Sequence, residues 1–198
     1  MKVVHKLKAV GPKNVALGFI RRVEYGKLVK KYHFDTWHLS PYEWKEYAQA
    51  CVAYINAHGG KTVVDIGCGL GGVLRHVKVE RRIGLDLHEE VVKAARELGG
   101  GDIAFATGSF DELEETQVDY LVTLNFMHGG TEDTWKEPYR KAAEQNGVRY
   151  FIVDTVPEMG GSHCLDWGKI LPENYGRMDR MGPFAGGRYV EVWGRTDL

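Results

Sequence analysis

The 198-residue sequence has only three cysteines, Cys51, Cys68 and Cys164, far apart and odd in number. That argues against a disulfide framework or a zinc cluster, and for reduced thiols in a cytoplasmic protein. No apolar run is long enough to span a bilayer. The N-terminus is basic but no apolar core follows it, so it does not read as a secretory signal. Neither sign of charge is in excess: 26 Lys+Arg against 27 Asp+Glu give a formal net charge of −1. The surface as a whole therefore implies no polyanionic partner. Internal repeats and low-complexity tracts are also lacking. What remains is ordinary for a globular protein, 43% hydrophobic and 27% charged, with enough length for one α/β domain.

The most informative stretch is Lys61 to Val77, KTVVDIGCGLGGVLRHV. Thr62, Val63, Val64 and Ile66 form a β-branched run that suits a strand buried on both faces. A glycine cluster follows at Gly67, Gly69, Gly71 and Gly72. Val73, Leu74 and Val77 then fall at helical spacing, which predicts a strand, glycine turn and helix. Glycines allow a sharp turn and close approach of a ligand, and a helix N-terminus offers free N–H groups. Gly67, Gly69 and Gly72 also satisfy G-x-G-x-x-G, the dinucleotide fingerprint. Asp65 argues against that ligand. A carboxylate beside the turn repels a pyrophosphate and attracts a cation. The run Asp65-Ile66-Gly67-Cys68-Gly69-Leu70-Gly71 resembles the first motif, D-x-G-x-G-x-G, of class I S-adenosyl-L-methionine (SAM)-dependent methyltransferases. SAM carries a sulfonium and an ammonium and no phosphate.

Residues 1–42 read as a basic N-terminal segment and an aromatic flap, and residues 43–198 as the domain proper. The basic part is either a solvated arm, a helix packed through Leu17, Phe19, Ile20, Val23, Leu28 and Val29, or a positive surface for an acidic partner. Tyr32, His33, Phe34, Trp37, His38 and Tyr42 crowd into eleven positions and suit a cleft wall or a packed flap equally. Ser40-Pro41-x-Glu43 predicts a helix start, with Ser40 as N-cap, running to about His58. By the resemblance, this segment folds over the cofactor, which makes Phe34, Trp37 and His38 lid candidates.

Further landmarks follow in order. RIGLDL, Arg82 to Leu87, predicts a second strand ending in Asp86, followed by Leu87. Asp86 lies 19 residues after Gly67, near the distance at which nucleotide folds place a carboxylate on ribose hydroxyls. The resemblance assigns the loop after the third strand, Asp102 to Ala106, to the adenine. Here Ser109 stands where an acid or amide is usual, so the Ser109 hydroxyl, its backbone N–H or Asp111 could serve, with Phe110 able to stack on the base. Val118 to Phe126 predicts a central strand. Its end lies beside the transferring methyl in the family, which nominates Asn125 as a cofactor contact and His128 as general base. Val148 to Thr155 predicts a fifth strand with Asp154 near its end. His163 falls in a loop over the cleft. The fourth strand ends in an amide and not an acid, so no complete metal set is read. Two last strands, around Met178 to Met181 and Arg188 to Gly194, predict a hairpin.

The resemblance spans Tyr47 to Arg195. It implies an α/β three-layer sandwich: a seven-stranded, mostly parallel sheet closed by a C-terminal antiparallel hairpin. The expected cofactor contacts are Asp65, Gly67, Cys68, Gly69, Gly71, Asp86, Leu87, Ser109, Phe110 and Asn125. Trp37, His38, Asp154 and His163 are the expected substrate or lid residues, and no metal is expected. The expected activity is SAM-dependent methyl transfer to a small molecule or a glycan, at oxygen. Nucleic acid is disfavoured because Asn125-Phe126-Met127-His128 differs from the Asn/Asp-Pro-Pro-aromatic signature. The alternatives are a nucleic-acid or protein methyltransferase using the basic segment, a non-catalytic SAM-binding protein, and an NAD(P) oxidoreductase. The oligomeric state is left open.

Overall fold

The computed structural model describes residues 3–126 and 129–197. His128 and Met127 lie outside the described residues. The elements are α1 (Val3–Tyr32), α2 (Glu46–His58), β1 (Thr62–Ile66), β2 (Arg81–Asp86), α3 (Glu89–Gly99), β3 (Ala104–Thr107), β4 (Tyr120–Thr123), α4 (Glu132–Gln145), β5 (Tyr150–Thr155), α5 (Trp167–Ile170), β6 (Tyr175–Phe184) and β7 (Arg188–Arg195).

The seven strands form one sheet in the order β3-β2-β1-β4-β5-β7-β6. The first five are parallel, and β7 runs antiparallel to both β5 and β6. The expected three-layer architecture is the one observed. Every residue of β1 is buried, and the period-2 alternation of a strand feeds two cores. Val63 joins Ala48, Cys51, Val52 and Ile55 of α2 on one face. Val64 and Ile66 join Tyr139 and Ala142 of α4, with Trp167 of α5, on the other. The α2 contacts recur at positions three and four apart, which is why that helix presents one apolar stripe.

Helix α1 is kinked at Gly11, whose φ of +76° precedes Pro12. The ring of Pro12 leaves no N–H for the ladder, so the break falls there. The packed face is Val15, Tyr25 and Leu28, against Val91 and Ala94 of α3 and Trp44. Gly18 also belongs to it, since a Cβ there would collide with the Trp44 ring. Of the six residues expected to pack, Leu17, Phe19, Ile20 and Val23 are largely exposed. The helical phase is set by two contacts, Val15 and Gly18 against Trp44 and Tyr25 and Leu28 against α3.

Two local expectations are corrected. First, Val73, Leu74 and Val77 are buried, but residues 69–76 form a series of turns and not a helix. Gly69 and Gly71 both take positive φ, and Asn56 of α2 captures the His76 carbonyl and the Lys78 N–H. The chain therefore leaves the turn directly into β2. Second, Ser40 does not cap α2. A single 3-10 turn at Tyr42–Trp44 intervenes, and α2 begins at Glu46 after Lys45. Burial of Pro41, Glu43 and Trp44 under α1 decides the entry angle.

Candidate functional site

The order of strands reverses between β1 and β4, and there the C-terminal ends of β1, β2 and β4 diverge. Open α/β sheets bind ligands in this crevice. A cavity of about 400 Å³ occupies it. Its floor is Asp65, Gly67, Cys68, Gly69 and Gly72 from the first unit, Asp86 and Leu87 from β2, and Leu124, Asn125 and Phe126 after β4. Its roof is Tyr25 of α1 with Asp35, Trp37, His38, Ser40 and Tyr42. Lys45 and Tyr47, at the start of α2, form the remaining wall.

The glycine turn is held by three bonds. Gly67 N–H and Cys68 N–H both donate to the Leu85 carbonyl, at 2.8 and 3.0 Å. Gly69 N–H donates to Oδ2 of Asp86 at 2.9 Å. The other Asp86 oxygen accepts from His88 N–H at 3.1 Å. Asp86 thus ties the turn to the start of α3 while lining the cavity. Gly67 has φ +74°, and a Cβ there would strike the Phe126 ring. Gly71 is a structural glycine: it does not line the cavity, and a Cβ would press on Phe105 at 2.6 Å.

The flap is ordered by its own polar contacts. Oδ1 of Asp35 accepts from the Trp37 N–H at 2.8 Å and lies 3.1 Å from Nδ1 of His38. His38 meets Phe34 and His88 edge-to-face and lies over Gly69. Trp37 is 67% exposed at the mouth.

The electrostatics are set by burial. The Asp65 carboxyl is pushed up to about 8 by desolvation, with Asp86 adding to the rise and Lys45 opposing it. Desolvation lowers the pKa of Lys45, against the pull of Asp65. Opposite charges that face one another would hold each other ionised, yet loss of water outweighs that attraction here. Burial raises the Tyr25 and Tyr47 phenols and takes Tyr42 up to about 12. These three hydroxyls are therefore hydrogen-bond donors at neutral pH and not bases. The Cys68 thiol is raised well above its usual value for the same reason.

Beside this cavity, Arg188 forms an ion pair with Asp154 and donates to Oδ1 of Asn125 at 2.8 Å. Asp154 also accepts the Asn125 N–H at 2.9 Å. His163 and Asp154 line a small adjoining cleft that Asn125 shares. Ser109 and Phe110 are placed elsewhere. Ser109 forms a capping box with Glu112, and Phe110 packs among Phe126, Trp135 and Tyr139. Neither lines the main cavity. Sequence reading missed Tyr25, Lys45, Tyr47 and Arg188, because no motif marks them. Among the described residues there is no metal-binding group of His, Cys, Asp and Glu, and no helix is long and apolar enough to cross a membrane.

A switch-point cavity over a glycine turn, on a sheet closed by an antiparallel hairpin, defines a Rossmann-like cofactor-binding domain. Residues 63–146 match the family model described as a methyltransferase domain. Magnesium protoporphyrin IX methyltransferase (ChlM) from Synechocystis PCC 6803, with bound S-adenosylhomocysteine (SAH), shares the fold with a TM-score of 0.64 at 15% identity, over 89% of this chain and 98% of that one. The N-methyltransferase NodS from Bradyrhizobium japonicum WM9, also with SAH, gives 0.61 at 16%, over 86% and 97%. The methyltransferase domain of bacterial CtHen1 gives 0.60 at 17%, over 75% and 96%. No curated protein matches the chain. Residues 63–146 therefore read as a methyltransferase domain, a family that uses SAM, and the chain has the fold of these SAH-bound structures.

The residues present fit that cofactor. Two buried acids, Asp65 and Asp86, flank a turn that excludes a Cβ at Gly67, and among the described residues Lys45 is the only Lys or Arg that lines the cavity.

Proposed function

We propose that this methyltransferase acts on a hydroxyl of a small molecule or a sugar unit. The observation that carries the reading is the roof over the cavity. Tyr25, Trp37, His38 and Tyr42 cover a space of about 400 Å³, which suits a cofactor and one reacting group and not the side of a polymer. Exposed Trp37 at the mouth offers a flat apolar surface to a ring or a sugar face. The three free thiols fit a reducing cytoplasm.

When bound, SAM supplies a methyl group made electrophilic by its sulfonium. The chain's part is mainly to align acceptor and methyl. Asp86 would hold the ribose hydroxyls, the turn Gly67–Gly69 the methionine part, and Asp65 would face its positive end. The Lys45 ammonium has no hydrogen bond or ion pair among the described residues and is suited to the cofactor carboxylate. Ser109 and Phe110 would reach the adenine only after leaving their present partners. His128 is the first base for an acceptor hydroxyl, with His163 and His38 next, and Asp154 reaches the substrate side through Arg188. Asn125 would present its free amide nitrogen to the reacting end, because its oxygen is held by Arg188.

A second reading is favoured by one observation: Lys8, Lys13, Arg22, Lys27 and Lys30 are exposed along α1. Such a face would serve a nucleic-acid substrate, whose binding would weaken steeply with salt. The test is calorimetric titration with SAH, using NADH as comparison, then label transfer from SAM to sugars, small phenols and RNA. One-site SAH binding and transfer to a hydroxyl compound support the proposal. Transfer to RNA alone, or NADH binding in place of SAH, rejects it. SAH binding without transfer to any acceptor would support the non-catalytic alternative.

A further inference from the structure

A second cavity, of about 630 Å³, lies at the opposite end of β2 from Asp86. Its walls are α1, the turns carrying Arg75 and His76, the start of β2 at Arg82, and the end of α3. Four cations face it: Arg21, Lys27, Arg75 and Arg82. Only Arg21 is neutralised, by Glu24 at 2.8 Å and Glu43 at 3.6 Å. Arg75 reaches two neutral acceptors, the Gly71 carbonyl at 3.4 Å and the Tyr25 hydroxyl at 2.6 Å. Arg82 makes only long bonds to the carbonyls of Leu74 and Asp102, at 3.5 and 3.4 Å, and its Nε is buried with no hydrogen-bond partner. Lys27 has no ion pair among the described residues. Of the three carboxylates in the lining, Glu24 is held by Arg21, and Glu97 by Lys31 at 2.6 Å and Tyr32 at 2.5 Å. That leaves three cations against Asp102.

Uncompensated guanidinium groups around a half-open cleft are suited to phosphate, whose oxygens accept their forked N–H donors. The Glu24–Arg21 pair and Glu97, held by Lys31 and Tyr32, border the space, and its volume of about 630 Å³ suits a small ligand. The cavity is also connected to the first one. Arg75 bonds Tyr25, which lines the cofactor cavity, and the carbonyl of Gly71 in the turn. His76 stacks at 3.8 Å on Tyr42, another roof residue.

We propose that this cavity is a second ligand site for a small phosphorylated molecule, and that Arg75 transmits its occupancy to the cofactor cavity. The geometry of the site stands apart from the choice of methyl acceptor.

The test is calorimetric titration of the full chain with pyrophosphate and with inorganic phosphate at low salt. Saturable one-to-one binding of pyrophosphate, tighter than inorganic phosphate, is expected if a phosphorylated compound is the ligand. Equal affinity for the two would make free phosphate the ligand at the same site. Arg82→Gln should weaken pyrophosphate about tenfold. Lys27→Gln, at an exposed position that folding does not need, should weaken it several-fold. In the wild type, SAH should change pyrophosphate affinity without displacing it, and Arg75→Gln should remove that change. No saturable binding, unaltered affinity in both charge variants, or outright displacement by SAH would overturn the site. An equal shift by SAH in Arg75→Gln would overturn the coupling.

Discussion

Arg188 of β7 donates to Oδ1 of Asn125 at 2.8 Å, across 63 residues of sequence. Asn125 has φ +56°, a left-handed conformation that Asn adopts more readily than other side-chain-bearing residues. The Arg188 bond and the Asp154 bond to its N–H overdetermine that conformation. The last hairpin therefore fixes Asn125 at the wall of the cavity.

Removing that support should be costly. Arg188→Met leaves Asp154 buried without its cation, and we expect a loss of about 3–5 kcal/mol in denaturant unfolding. Combining it with Asp154→Asn should recover part of the loss. Additive losses in the double variant would show that the pair is not coupled.

Stability should depend on the protonation of Asp65. Its pKa rises from 3.8 to about 8 on folding, so the folded chain holds the proton more tightly than the unfolded one. This contribution is complete below the unfolded value and is lost as pH rises through that window. The slope is at most about 1.4 kcal/mol per pH unit. In Asp65→Asn the slope should vanish. Unfolding midpoints measured across the window in both proteins decide it, and parallel curves would remove Asp65 as the source.

Asp86 ties the glycine turn to the start of α3 and is proposed to hold the ribose, and variants can separate the two. Asp86→Ala should weaken SAH binding by about 10- to 100-fold in calorimetry, because a charged acceptor and the tie to Gly69 are both lost. Asp86→Asn keeps an acceptor for one N–H and should lose less. Unchanged affinity in the alanine variant would take Asp86 out of the site.

Gly67→Ala should destabilise the fold by at least about 1 kcal/mol from its φ of +74° alone. It should also displace Phe126 from over the turn and abolish SAH binding. Thermal unfolding and calorimetry on the same preparation would separate the two effects.

His128→Ala should lower turnover with SAH affinity nearly unchanged, as expected of a proton acceptor. A fully active variant would pass that role to His163 or His38, each tested in the same assay.

The sequence by itself determined the parts built from near neighbours. β1 is a run of β-branched residues, the turn needs its glycines, and Asp65 and Asp86 sit at strand ends that local pattern makes visible. These features follow from backbone sterics and alternation, which act over a few residues. Only the tertiary structure decided the rest. Lys45 became part of the wall because α1 buries Trp44 and turns the entry to α2. Tyr25 became roof because the phase of α1 follows its contact with α3. Val73, Leu74 and Val77 have helical spacing yet form turns, because Asn56 takes the groups a helix would use. Ser109 bonds Glu112 and Phe110 packs on Tyr139, and neither lines the cavity. In each case burial and hydrogen bonding across distant segments outweigh a local preference worth less than about 1 kcal/mol per residue.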